Sequence, residues 1–268
     1  MPYTIWVKCH DEVLRAEREA LAGKVIGEFS LPTGARLGCF LDDIDWERFK
    51  NDHGRSNRGI HVPTTNVPQC PNLLEFNWPD YVARAITFPD ELGLDEYVCD
   101  NVIYLHGSTC LSRVGLTMTL AHELQHFLQH ANHWQEWAWN SIIVRLTEEE
   151  FMGTRIYPWD LPIEREARIV SKQVAEKICG AQPVELYVDE RVRKTVDQND
   201  RSDWQFVQTL RDSRPYELAN ENRELIQGLR AYGSSLKAIL QEFKNDPCFN
   251  HHPRCKDLNL ADFFADDA

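Results

Sequence analysis

The chain has 268 residues, of which 43% are hydrophobic and 26% charged, and its formal net charge at pH 7 is −13. A chain of this length and composition buries a large core, as one domain or as two that pack closely, so it is not a disordered protein. The excess of acidic residues leaves no basic surface for phosphate, and we therefore expect neither nucleic acid nor a membrane as a partner. A basic peptide is compatible with this charge, which by itself selects no substrate.

The N-terminal sequence and the cysteines bear on location. The first residues, MPYTIWVKCHDEVLRAERE, lack a basic start followed by an apolar run, and no later segment holds the ~20 apolar residues of a membrane helix. The cysteines are scattered and mostly lie beside apolar residues, which in a reducing compartment indicates small buried side chains. We therefore predict a cytoplasmic protein. The cluster CFNHHPRC, from Cys248 to Cys255, is open to two interpretations, a zinc site or a turn near the C-terminus.

The first part of the chain alternates strands, helices and turns. YTIWVKC (residues 3–9) predicts a strand, and DEVLRAEREALAGK (11–24) predicts a helix that Gly23 helps to end. Residues 54–80 are rich in Gly, Asn and Pro and have no lasting periodicity, which predicts a loop. NVIYLHG (101–107) predicts a strand closed by glycine.

The later part of the chain is predicted to be mainly helical. IEREARIVSKQVAEKICG (163–180) has an apolar stripe at helical spacing and ends at Gly180, and residues 204–210 and 221–243 also indicate helices. The segments together predict an α+β protein.

Two lobes are the predicted domain organisation. Residues 1–110 are expected to form a mixed α/β N-terminal lobe with a small sheet and an edge strand, and residues 111–268 a mainly helical C-terminal lobe that carries the site. One continuous domain is the alternative.

The segment TLAHELQHFLQH, residues 119–130, has a histidine at every fourth position. At ~100° per residue its apolar side chains cover one arc of the helix, and His122 and His126 lie nearly opposite that arc. Residues four apart lie one above the other, so these two imidazoles can reach one tetrahedral ion. Glu123 projects beside such an ion, where it can accept a proton from water. A solvated histidine face is the alternative.

His122, Glu123 and His126 form the H-E-x-x-H pattern of zinc metallopeptidases, in which zinc lowers the pKa of a water molecule and the glutamate acts as general base. The chain thus resembles the zincins, and the resemblance implies a zincin-like fold with the active-site helix between the two lobes. The metzincin branch requires glycine and a third histidine where this chain has Gln129 and Asn132.

The gluzincin branch takes its third ligand from a glutamate on a separate downstream helix. Glu164 and Ala167 match the E-x-x-A spacing common around that ligand. The resemblance therefore implies a Zn²⁺ site on His122, His126 and Glu164. Glu166 is the rival ligand, because both glutamates flank the apolar stripe symmetrically, and a third interpretation makes both of them surface charges.

Three details of the gluzincin resemblance concern the surroundings of the zinc. Many gluzincins carry Asp or Asn four residues after the ligand, to orient a zinc-bound histidine, and this chain has Arg168 there. Tyr157 holds the position of a catalytic tyrosine that stabilises the oxyanion in some gluzincins, or else is a packing residue in a loop. His130, one turn beyond His126, is expected beside the site or facing solvent.

The resemblance also implies how substrate binds and what the protein does. In zincins the strand before the H-E-x-x-H helix usually pairs with extended substrate, so NVIYLHG is expected to present its backbone to a peptide. The implied function is a zinc metallopeptidase acting on a protein or peptide, and a regulatory partner is left open. The alternatives are a non-catalytic zinc sensor or regulator, against which Glu123 argues because metal binding alone does not require it, and a zinc hydrolase of another bond.

Overall fold

A computed structural model describes residues 3–9, 11–43, 59–63, 101–133, 137, 140, 161–196 and 198–210. The strands in these ranges are β1 (Thr4–Cys9), β2 (Arg36–Asp43), β3 (Gly59–Pro63) and β4 (Asn101–His106). The helices are α1 (Arg15–Ile26), α2 (Gly107–Cys110), α3 (Arg113–Asn132), α4 (Pro162–Cys179), α5 (Ala181–Lys194) and α6 (Gln198–Thr209). None of the described helices combines the length and the apolar character that crossing a membrane requires.

The four strands form one mixed sheet in the order β1-β2-β4-β3. β1 and β2 are parallel and are joined through α1, β2 and β4 are also parallel, and β3 runs antiparallel to β4. The middle of the sheet is buried, with Phe40, Leu41, Ile103 and Leu105 almost inaccessible to solvent. Central parallel strands are usually covered on both faces, and this explains their nearly continuous apolar sequences.

The structure confirms the strand predicted at the N-terminus and corrects two other predictions, one about helix α1 and one about residues 59–63. Gly23 does not end α1, which continues to Ile26, because Gly23 lies on the exposed face and glycine inside a helix costs only about 1 kcal/mol. The loop predicted over residues 54–80 is wrong for Gly59–Pro63, which pairs with β4 as strand β3. This short strand begins at a glycine and ends at a proline, and both residue types are typical of loops, so the sequence predicted a loop.

The helices that follow the sheet pack around a shared apolar cluster. Gly180, with φ of 89°, separates α4 from α5 in a conformation that glycine adopts without strain, and this confirms the predicted helix end. One side of α3 packs against α4, α5 and α6. The cluster contains Val114, Met118, Ala175, Val184, Val188, Trp204 and Val207. Each such large apolar side chain contributes roughly 1.5–3 kcal/mol when fully buried, so the cluster fixes α3 against α4.

Backbone contacts divide the chain into two compact units. The first unit, Met1–Leu128 with Ala167–Arg211, contains the sheet and the apolar helical cluster. The second unit is Gln129–Glu166 with Asp212–Ala268, of which the described part is the last turn of α3, two single residues and the start of α4. Helices together with a small sheet agree with the α+β class. The boundary between residues 110 and 111 stays a prediction.

Candidate metal centre

The H-E-x-x-H residues lie in the interior of α3, more than one full turn from either end of the helix. Only 7% of His122 and 5% of Glu123 is exposed, and His126 is partly buried. The alternative of a solvated histidine face is therefore wrong. Since polar groups this deep require partners, the burial indicates that this side of α3 faces other side chains and not water.

The two imidazoles of the motif meet through the nitrogens that zinc sites use. The Nε2 atoms of His122 and His126 are 3.0 Å apart, and the rings are almost perpendicular, with centroids 4.5 Å apart. Two nitrogens that each lie 2.0–2.1 Å from one tetrahedral zinc are about 3.3 Å apart. The histidine pair thus needs to open by only a few tenths of an ångström to hold such an ion.

Glu164, in the first turn of α4, is the third residue grouped with these histidines. One ligand atom each of His122, His126 and Glu164 can be chosen so that all three lie within 4.8 Å of one another. Two imidazole nitrogens and one carboxylate oxygen are the donor set of many catalytic zinc sites, which keep a fourth position open for water or substrate. The donor atoms of these three residues therefore fit a zinc ion.

Contacts between α3 and α4 distinguish Glu164 from Glu166, the alternative third ligand. The side-chain amide of Gln129 donates to the carbonyl oxygen of Ile163 over 2.9 Å and to Oε2 of Glu166 over 2.7 Å. Gln129 is fully buried, so these bonds are shielded from water. Glu166 therefore binds an amide of α3 while Glu164 lies near the histidines, a distinction that helical periodicity alone could not make.

Strand β3 passes directly against Glu123. A Cβ atom added to Gly59 would lie 2.8 Å from Cγ2 of Thr119 and 3.0 Å from Oε1 of Glu123, closer than side chains normally approach. Only glycine allows the backbone of β3 to come this near to the glutamate of the motif. The general-base candidate thus lies beside a strand that the sequence did not predict.

The prediction that the NVIYLH strand presents a free edge to a peptide is wrong. β4, the NVIYLH strand, pairs with β2 on one side and with β3 on the other, so it has no free edge for a peptide. Within the described part of the sheet, β1 and β3 are the two outer strands, and β3 pairs only with β4. The edge closest to the motif therefore belongs to β3.

His61 follows Gly59 by two residues and so lies on the same face of β3. Its Nε2 is 3.0 Å from Oδ1 of Asn101, and its ring meets that of Phe127 edge-on with centroids 5.9 Å apart. Burial lowers the pKa of His61 to about 3, the hydrogen bond to Asn101 raises it in part, and the charge of His126 lowers it again. His61 is therefore a neutral ring at physiological pH, and its Nε2–H group donates a hydrogen bond to Oδ1 of Asn101.

The lowered pKa of His61 predicts a loss of stability in mild acid. Between its usual pKa of 6.5 and about 3, the unfolded chain binds a proton that the folded chain does not, so the free energy of unfolding falls as the pH falls. Each pH unit in that window removes at most about 1.4 kcal/mol through this group. Urea unfolding of wild type and His61→Gln from pH 7 to pH 4.5 measures this contribution as the difference between the two slopes, with His133→Gln on exposed His133 as control. Equal slopes for wild type and His61→Gln would contradict it.

The remaining candidate residues have different positions. His130 is buried and its ring packs edge-on against Trp137, with centroids 5.0 Å apart, so it does not face solvent. Tyr157 and the Cys248 to Cys255 cluster lie outside the described residues, and their predicted roles stay predictions. Arg168 contacts His122 and donates a hydrogen bond to Asp203.

Comparisons of this chain with protein-family models, with curated proteins and with solved structures find no match.

Proposed function

We propose that the protein is a zinc-dependent metallopeptidase of gluzincin type, with a zincin-like fold, that holds Zn²⁺ on His122, His126 and Glu164. The observation that carries the proposal is the convergence of one ligand atom from each of these three side chains to within 4.8 Å of one another, with Glu123 buried on the helix that holds the two histidines. The ligands come from two separate helices, so their convergence does not follow from the local H-E-x-x-H spacing alone.

The chemistry divides between the metal and the chain. When bound, a zinc ion supplies a lowered pKa for water and polarises the substrate carbonyl. Glu123 accepts the proton of the attacking water and then donates it to the leaving nitrogen, which completes hydrolysis of the peptide bond. Its burial excludes bulk water that would otherwise compete for that proton.

The edge of β3 supports a peptide as substrate. An extended peptide that adds to this edge makes backbone hydrogen bonds without regard to its side chains. Gly59 and Glu123 are close enough that such a peptide would pass near the general base. This favours a peptide as substrate, because an extended peptide backbone can form hydrogen bonds with a strand edge.

The described cysteines support a reducing location. Cys9, Cys39, Cys110 and Cys179 are in thiol form and not in disulfides, and the first three are buried. Thiols of this kind are usual in the cytoplasm, which we propose as the site of action.

Proteome cleavage tests the function directly. The zinc-loaded protein is incubated with a denatured cell proteome, and new N-termini are identified by mass spectrometry. We expect cleavage sites that disappear on chelation and return when zinc is restored. Absence of zinc-dependent cleavage from a protein that binds zinc would refute the peptidase and leave a sensor or another hydrolase.

A further inference from the structure

Arg168 is four residues after Glu164, where many gluzincins have an Asp or Asn that accepts a hydrogen bond from a zinc-bound histidine. It contacts His122, one of the two proposed histidine ligands. Its Nη1 is 3.4 Å from Nδ1 of His122, on the side of the ring away from His126. Its Nε donates to Oδ1 of Asp203 over 2.8 Å. Asp203 is only 6% exposed, so this ion pair holds the guanidinium in a largely buried position.

The chemistry of arginine determines where the ring proton of His122 lies. A guanidinium has five N–H donors, no acceptor, and stays charged in proteins. Nδ1 of His122 must therefore accept from Arg168, and a neutral imidazole in that position carries its proton on Nε2. That nitrogen faces Nε2 of His126 over 3.0 Å, and it is the one through which His122 would share a metal ion with His126.

The contact with Arg168 therefore opposes the tautomer that a metal-bound His122 would need. A neutral histidine binds a metal through an unprotonated nitrogen and normally donates its other N–H to a carboxylate, a carbonyl oxygen or water. For His122 to bind through Nε2, its proton has to move to Nδ1, where Arg168 offers no acceptor.

We propose that Arg168, held by Asp203, keeps His122 in the tautomer that excludes the metal, so that metal binding requires Arg168 to leave Nδ1. The inference rests on the proposed metal site and adds regulation to it. Any movement of α4 or α6 that draws Arg168 away from His122 raises the affinity for the metal, whereas the resting arrangement weakens it. A carboxylate or amide acceptor in place of Arg168 would remove this control.

Zinc affinity measures the effect of Arg168. Dissociation constants are determined for the full chain by competition with a chromophoric chelator. Arg168→Gln, whose amide oxygen can accept from Nδ1–H, is expected to bind zinc roughly 10- to 100-fold more tightly than wild type. Arg168→Lys, which can only donate, is expected to stay close to wild type.

Two further variants control for charge and folding. Arg193→Gln removes one positive charge from an exposed position on α5 and should leave zinc affinity unchanged. Arg168→Gln with Asp203→Asn avoids leaving a buried aspartate without its cation, and should tighten zinc binding as the single variant does. Unchanged or weaker zinc binding in the folded Gln variants would overturn the inference.

The tautomer is a second, metal-independent readout. Long-range ¹H–¹⁵N correlation spectra of the metal-free protein should show His122 protonated on Nε2 in wild type and on Nδ1 in Arg168→Gln. A wild-type His122 protonated on Nδ1 would overturn the inference whatever the zinc affinities are. If no variant binds zinc, the metal site itself is refuted and the inference with it. Zinc binding that Arg168→Gln fails to tighten refutes the inference alone.

Discussion

Glu123→Gln is expected to lower peptide hydrolysis by about 10²- to 10⁴-fold, the usual contribution of a positioned acid–base group, while zinc content and fold stay as in wild type. The amide has the same shape as the carboxylate but cannot accept the proton of the attacking water. Glu123 is not among the three grouped ligands, so its replacement leaves the donor set intact. Activation of the water itself can increase the loss further.

The measurement for Glu123→Gln is the rate of cleavage of one peptide identified from the proteome experiment, at equal zinc occupancy. Glu185→Gln, the same chemical change at an exposed position of α5, is the matched control and should cleave like wild type. Circular dichroism and zinc analysis verify that fold and metal are kept. Cleavage by Glu123→Gln at the wild-type rate would refute Glu123 as general base, even with zinc present.

His126→Ala is expected to abolish stoichiometric zinc binding and, with it, all zinc-dependent cleavage. The substitution removes one of three protein ligands, which should weaken zinc affinity by more than the roughly 10- to 100-fold that follows loss of an outer hydrogen-bond partner. Elemental analysis after gel filtration in zinc-free buffer measures the retained metal. His133→Ala, an exposed histidine one residue past the end of α3, should keep its zinc. Full zinc in His126→Ala would place the metal elsewhere, with the Cys248 to Cys255 cluster as the first position to test.

Local patterns were sufficient for the elements that carry the site. The apolar stripes predicted α3 and α4, and spacing along α3 identified His122 and His126 as neighbours before any tertiary contact was known. The helices and the spacing of the two histidines could be predicted because both depend on helical periodicity, which is a property of the chain segment itself.

Features that depend on contacts between distant segments were not accessible from sequence. β3 is a strand because it pairs with β4, about forty residues away in the chain. Its five residues are too few for an alternating pattern that would predict a strand from sequence. Glu164 and Glu166 flank the apolar stripe of their helix symmetrically, and contacts with α3 distinguish them: Glu166 accepts from the amide of Gln129, whereas Glu164 lies near His122 and His126. The contact of Arg168 with Asp203 likewise depends on how α6 packs on α4.

In the proposed site Glu164 is the third zinc ligand beside His122 and His126, and the zinc content per chain measures whether it binds the metal. Elemental analysis compares wild type with Glu164→Ala and Glu166→Ala, two variants that remove the same group two residues apart. Loss of the Glu166 hydrogen bond to Gln129 costs on the order of 1 kcal/mol, so that variant should still fold. We predict close to one zinc per chain in wild type and Glu166→Ala, and much less in Glu164→Ala. Full zinc in Glu164→Ala, or loss of zinc in Glu166→Ala alone, would contradict this assignment.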